Sequence, residues 1–330
     1  MEIKKHVSAV SPFIRPKGNN FKINPFEAWK NMGGKIKSSH YPIRLFHFLA
    51  YKFDFPSIRF NKQQARLRFV EVQSLTFDTF PDYIFYEIIP FVWDCWPCLD
   101  NRMISWLQKH QVRTAIFTSE QAAERIKQRI PSMNILVITE GINTSIYNKG
   151  KALNERNIDL IEIGRSNRCV YNPDGLKNIK HVCTSSLNKR LTDQELFDMM
   201  ADSKIIITLP KCDTDAQIGN GQETLTQRYW EAMLSRCVMI GHAPKELIDL
   251  IGYNPTLELD GFTSHRGMKG YTIEHLDNHT INKQISNVLS NISSYQELVN
   301  KNYMVALEMA PWTLRIKHIQ EWLISLGYKI

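Results

Sequence analysis

Residues 222–240 read QETLTQRYWEAMLSRCVMI and carry two carboxylates, Glu223 and Glu231, separated by seven residues. The apolar periodicity of TLTQRYWEAMLSR predicts a helix over 224–236. At about 1.5 Å per residue the two carboxylates then stand about 12 Å apart. The first N–H groups of a helix have no internal partner, and with the helix dipole they make an anion site suited to phosphate. Thr224 and Thr226 add hydroxyl donors there. A diphosphate at the helix start would lie between the glutamates, leaving one carboxylate for a group at either end. Sugar, diphosphate and ribose are laid out that way in a nucleotide sugar, and ionised acceptors make strong bonds to hydroxyls. The bland alternative is a pair of solvated helix carboxylates.

Arg165 and Arg168, in GRSNR, follow the apolar run IDLIEIG (158–164). Loops after parallel strands gather at the carboxyl edge of a sheet, so both guanidinium forks are expected beside the helix start. Other chemical signals compete less well. Cys95-Trp96-Pro97-Cys98 has dithiol spacing, but strand–helix alternation continues far beyond it, unlike a small redox domain. A single CxxC is also weak for zinc. Asp213-Thr214-Asp215 has the D-x-D form of a cation-binding loop and reads here as a polar loop. The ten histidines include no metal-spaced pair.

The elements that position these groups alternate. Strands are predicted at 65–72, 83–93, 113–119 and 133–139, with helices at 101–110 and 120–130. Residues 144–157 are polar and break the pattern, as a linker would. A second series follows, with strands at 158–164, 181–186, 204–210 and 237–242. Its helices are predicted at 191–203, where Thr192 and Glu195 form a capping box, at 224–236 and at 244–252. The expected architecture is α/β: two tandem Rossmann-like domains facing an interdomain cleft, the default ligand site. The expected division is 1–148, 149–310, and a final helix at 311–330 packing back on the first domain.

With 330 residues, 43% hydrophobic and 22% charged, the chain reads as an ordinary globular protein of two domains. No apolar run is long enough for a membrane span, and the N-terminus lacks the apolar core of a secretory signal. A cytoplasmic protein with six reduced cysteines is expected. The net charge of +8 is uneven: residues 1–70 hold 14 basic and three acidic residues. Aromatic residues interleave with them, as in YPIRLFHFLAYKFDF (41–55), which suits an anionic membrane surface and a peripheral position on its inner face. Nothing matches a nucleic-acid-binding motif, so no nucleic acid is expected.

The stretch ETLTQRYWEAMLSRCVMIGHAPKELIDLIG resembles the donor-site segment of retaining GT-B glycosyltransferases of the E-x7-E group. Glu223 matches the first glutamate, Glu231-Ala232-Met233 the second with its neighbours, and Pro244–Ile248 the helix that follows. EGIN (140–143) and IGR (163–165) resemble the segments that close the first domain and open the second. Two positions depart from the pattern: Thr-Leu-Thr replaces the glycine-containing turn, and Arg236 stands where a small residue is usual.

The resemblance implies a catalytic site with Glu223 on the transferred sugar and Arg165 on the leaving group. The donor would be held by Arg168, Glu231 and the backbone of Thr224, Leu225 and Thr226. Trp93 and Asp94 would line the acceptor side. It implies a nucleotide-diphosphate sugar donor, a glycan or lipid-linked acceptor, no cofactor, no metal, and a place in bacterial surface-polysaccharide assembly. An epimerase or hydrolase on the same fold, and a non-catalytic basic module for lipid or nucleic acid, are the alternatives.

Overall fold

The computed structural model describes residues 5–12, 23–38, 48, 52–53, 55–164, 179–187, 191–259 and 277–330. The chain forms two compact units, Met1–Gly141 with Trp312–Ile330, and Ile142–Pro311.

The first unit is a parallel sheet of β1 (His6–Val10), β2 (Ile36–Lys37), β3 (Gln64–Glu71), β4 (Glu87–Trp93), β5 (Thr114–Phe117) and β6 (Asn134–Val137). Its strand order is β2-β1-β3-β4-β5-β6. Strand β4, EIIPFVW, is buried on both faces, and its side chains divide with the period of two. Ile88 and Val92 meet α2 (Asp100–Lys109) and α3 (Glu120–Arg129) through Met103, Leu107, Ala122 and Ile126. Ile89, Phe91 and Trp93 pack with α1 (Ile23–Asn31) and α9 (Trp312–Ser325) through Trp29, Trp312, Ile316 and Leu323. Past α9, Tyr328 donates to Glu87 Oε1 at 2.6 Å.

The second unit is a parallel sheet of β7 (Ile158–Glu162), β8 (His181–Cys183), β9 (Ser203–Thr208), β10 (Val238–Gly241) and β11 (Leu257–Glu258) in the order β11-β10-β9-β7-β8. Counted from its first strand this is 2-1-3-4-5, a doubly wound sheet whose direction of winding reverses between β7 and β9. Ile161, Ile206 and Met239 face one layer, which includes α5 (Gln227–Leu234), α6 (Lys245–Ile251) and α8 (Gln296–Met309). Leu160, Ile205, Val238 and Ile240 face α7 (Asn278–Ser290) through Ile281, Ile285 and Val288. Helix α4 (Asp193–Ala201) starts at the capping box of Thr192 and Glu195, and α6 ends at Gly252 in the left-handed region.

Several expectations need correction. Residues 83–85 belong to a helical turn, Asp82–Phe85, rather than to a strand. The polar stretch 144–157 is no loose linker: Leu153 and Arg156 are buried. Two arginines clamp its backbone. Arg156 donates to the carbonyls of Lys149, Lys151, Ser203 and Ser235 at 2.7–3.1 Å. Arg236 donates to those of Lys149, Gly150 and Lys151 at 2.9–3.0 Å. The departure at position 236 thus has a structural purpose within this unit.

Arg66 and Arg68, counted among the N-terminal basic residues, are withdrawn into the first unit. Arg68 lies 3.0 Å from the buried carboxylate of Asp82. Cys95, Cys98, Cys212 and Cys237 are thiols, but Cys183 is disulfide-bonded, against the expectation of six thiols. Among the described residues, no helix is long and apolar enough to cross a membrane.

Candidate active site

The carboxyl ends of β9 and β10 lie side by side, because Thr208 and Gly241 are register partners. Just past them the chain places Asp213 and His242. His242 Nδ1 stands 2.8 Å from Asp213 Oδ2, with both side chains buried. The backbone at His242 is fixed from two further sides. Its N–H donates to Thr208 O at 2.9 Å, and its carbonyl accepts from the Tyr229 hydroxyl, on α5, at 2.7 Å. Gly241, at φ 147°, permits this approach: a Cβ there would sit 1.9 Å from Thr208 O.

The other ring nitrogen, His242 Nε2, lies 3.8 Å from Glu223 Oε2. The same Glu223 oxygen accepts the backbone N–H of Lys245, at the start of α6, at 3.1 Å. In return, Glu246 Oε2 accepts the N–H of Leu225 at 2.8 Å. The loop 223–225 and the head of α6 therefore grip one another through two reciprocal carboxylate–amide bonds, each using an otherwise orphaned donor. The Glu223 side chain remains about a quarter exposed, at 26%. It stands at the carboxyl edge of the sheet, ahead of α5, within reach of a ligand.

This geometry revises the spacing of the two carboxylates. Helix α5 begins at Gln227, with Thr226 extended (φ −100°, ψ 162°) as its N-cap. Residues 224–226 precede the helix, so the rise between the glutamates is only partly helical. The N–H of Leu225 is bonded to Glu246. The Thr224 hydroxyl accepts from Gln222 Nε2 at 3.0 Å in a buried position. Of the three backbone donors expected in this loop, that of Leu225 is committed to Glu246. The first backbone N–H groups of the helix belong instead to α5 itself, which begins at Gln227.

Glu231, one helical turn into α5, has both oxygens engaged. Oε1 accepts from the Tyr147 hydroxyl at 3.1 Å, and Oε2 lies 2.6 Å from Arg228 Nη1. Burial, and then the neighbouring Glu231 charge, push the Tyr147 hydroxyl well above its ordinary range, so it stays a donor. Arg165 and Arg168 lie outside the described residues.

The two acceptor-side residues fare differently. Asp94 is exposed just past β4 in the left-handed region, at φ 52°. Trp93 is a core residue, 1% exposed, stacked on Phe91 at 4.5 Å and edge-on to Trp312 at 6.2 Å. The dithiol spacing of Cys95 and Cys98 produces no redox pair: both are free, and burial with the Asp100 carboxylate pushes the Cys95 thiol up to about 12. Asp213 and Asp215 also part company. Asp215 pairs with Lys211 and accepts the N–H of Ile218. Among the described residues no group of three or more His, Cys, Asp or Glu is placed to hold a metal ion.

Sequence reasoning missed His242, Tyr229, Glu246 and Tyr147, and read Asp213 as a loop residue. One signal was available for His242: it directly follows a buried strand, CVMIG, at the edge where doubly wound sheets bind ligands.

No family model matches the sequence, and no curated protein does. Solved structures do share its fold. Anabaena Alr3699/HepE in complex with UDP and glucose aligns with a TM-score of 0.59 at 10% identity, over 97% of this chain and all of that one. Sucrose-phosphate synthase from Thermosynechococcus elongatus aligns with a TM-score of 0.57 at 9% identity, over 98% and 100%. AviGT4, a glycosyltransferase involved in avilamycin A biosynthesis, aligns with a TM-score of 0.52 at 9% identity, over 98% of each chain. The chain has the α/β GT-B fold of these glycosyltransferases.

Proposed function

We propose that this protein is a glycosyltransferase that moves a sugar from a nucleotide-diphosphate sugar to a glycan or lipid-linked acceptor, with retention of anomeric configuration. The observation that carries the reading is the Glu223 carboxylate. It is part exposed at the carboxyl edge of a doubly wound sheet, is held by the Lys245 N–H, and lies 3.8 Å from Nε2 of His242, whose Nδ1 meets Asp213.

In this reading Glu223 accepts hydrogen bonds from hydroxyls of the transferred sugar and orients it. The diphosphate lies against the head of α5, where the helix dipole stabilises the charge that grows as the glycosidic bond breaks. By the sequence resemblance, Arg165 and Arg168 supply positive charge to the diphosphate. The acceptor hydroxyl then attacks C1 from the face the leaving diphosphate vacates as the C1–O bond to phosphate breaks, and its proton passes to the departing phosphate oxygen; Glu223 is not assigned as the base. Glu231 takes the ribose hydroxyls through acceptor capacity that remains beyond Tyr147 and Arg228, since a carboxylate has about four lone-pair sites. No metal enters this scheme. Surface-polysaccharide biosynthesis is the setting that the sequence resemblance suggests.

Alr3699/HepE was crystallised with UDP and glucose, so UDP-glucose is the first donor to try. The experiment incubates the protein with UDP-glucose and a panel of glycan and lipid-linked acceptors, reading UDP release and the anomeric proton of the product by NMR. The expected result is acceptor-dependent release with the donor's α configuration kept, abolished in Glu223→Gln. A β-linked product refutes retention. Donor consumption that ignores acceptors favours a hydrolase or epimerase.

A further inference from the structure

The segment Phe55–Asn61 has a contradiction built into it. Its backbone is firmly tied down while its large apolar side chains face water. The N–H groups of Ile58 and Arg59 donate to Ile84 O at 2.9 and 2.7 Å, and that of Asn61 to Phe85 O at 3.2 Å. The Ser57 hydroxyl lies 2.8 Å from Nδ1 of the buried His110. Arg59 adopts the left-handed region, at φ 52°, and folds its guanidinium onto the carbonyls of His110 and Gln111, past the end of α2. A non-glycine residue there is strained. The anchoring supports that strain and holds the segment in one shape.

That shape presents Phe60 at 73% exposure and Ile58 at 56%, with Phe55 beside them in sequence. Phe85, also exposed, stacks on Phe60 at 6.3 Å with the rings 24° apart. Scattered exposed apolar residues need no explanation, but a fixed cluster of them does.

The charge around the cluster chooses its occupant. Lys62, Lys109 and Arg113 are exposed cations on the flanking chain, and Arg113 lies near enough to Arg59 to help hold that guanidinium below its usual range, after burial. Among the described residues, Glu87, whose charge acts on Arg59, is buried and paired with Lys5. Exposed aromatic and aliphatic tips with exposed cations on the flanking chain match the boundary between acyl chains and anionic headgroups. We propose that Phe60, Ile58 and Phe85 insert into an anionic bilayer surface, with Lys62, Lys109 and Arg113 on its headgroups, docking the first unit on a membrane. This site is separate from Glu223 and stands whether or not the donor reading holds.

The test is flotation of the full chain with vesicles of phosphatidylglycerol and phosphatidylcholine, or of phosphatidylcholine alone, at low and high salt. Binding to the anionic vesicles is expected, weakened by salt, and reduced at least about tenfold in I58S/F60S. Lys62→Glu with Arg113→Glu should reduce it comparably. Unchanged melting temperatures show that the variants fold, as expected for exposed side chains. UDP-glucose binding by the same variants reads the other unit separately, so failure of docking and failure of the donor reading are distinguishable. Equal binding to neutral vesicles, or no loss in I58S/F60S, overturns the proposal. So does a dimer in sedimentation velocity that I58S/F60S breaks without any vesicle binding by the wild type, which would make a second copy the occupant.

Discussion

His242 and Asp213 are 29 residues apart in sequence, yet His242 Nδ1 and Asp213 Oδ2 are 2.8 Å apart in the fold. Parallel strands β9 and β10 end together and bring the two past the same edge. The carboxylate fixes the ring plane, and the ring aims Nε2 at Glu223. Removing the carboxylate should therefore disturb Glu223 without touching substrate. Asp213→Asn is expected to lower kcat by about 100-fold, the scale of an ångström-level misplacement, with a smaller change in KM. His242→Ala should do the same and also cost about 1–3 kcal/mol, because Asp213 loses a buried partner. Steady-state kinetics beside urea unfolding separates the two effects. Normal kcat in a folded Asp213→Asn protein would contradict a positioning role.

The reciprocal pair between Glu223 and Glu246 predicts unequal behaviour from two similar residues. Glu246 is buried and serves the Leu225 amide, so Glu246→Ala should destabilise the second unit by about 1–3 kcal/mol. Glu223 is more open, so Glu223→Gln should keep stability within about 1 kcal/mol while removing activity. Thermal unfolding of both variants checks this. The opposite ranking would mark Glu223 as a structural staple only.

How legible these features were depended on their range. The capping box at Thr192 and Glu195 is local, and it stood in the sequence as it stands in the fold. The alternating strands and helices were equally plain, because hydrophobic period is a local signal. The sequence pattern starts α5 three residues early, at 224 rather than Gln227. Thr224 and Thr226 look like a helix entry, and the bond that draws Leu225 away from the helix comes from Glu246, 21 residues on. The burial of Trp93 leaves little mark in the sequence because β4 is buried on both faces, so neither side of the strand is marked by polar residues. The Tyr147–Glu231 bond spans 84 residues and leaves no trace in either segment.

The clamp on residues 149–151 gives a stability prediction away from the site. Gly150 sits at φ 66°, and a Cβ there would lie 2.0 Å from Ala201 O. Gly150→Ala is expected to lower stability by more than about 1 kcal/mol, since Ala at a positive φ adds strain to the clash. Arg236→Ala should cost about 1–3 kcal/mol by releasing three carbonyls and Asn300. Differential scanning calorimetry would show both. An unchanged melting temperature in either variant would contradict the clamp.

Cys95 and Cys98 offer a chemical check on the first unit. With its thiol held up near 12, Cys95 carries almost no thiolate at neutral pH, and its burial blocks reagent. Cys98 is exposed. Iodoacetamide on the native protein should label Cys98 and spare Cys95 until the protein unfolds. Mass spectrometry of the labelled peptides decides it, and rapid labelling of both would reopen a redox role.

The central claim is that the loop and helix beside Glu223 bind a nucleotide-diphosphate sugar. Isothermal titration of wild type and Glu223→Gln with UDP-glucose and with UDP tests it most directly. Wild type is expected to bind both, with one site per chain. The variant should bind UDP unchanged and UDP-glucose about tenfold more weakly, through loss of the sugar contact, about 1.4 kcal/mol. No binding of UDP, GDP, ADP or their sugars by the folded wild-type protein would contradict the account.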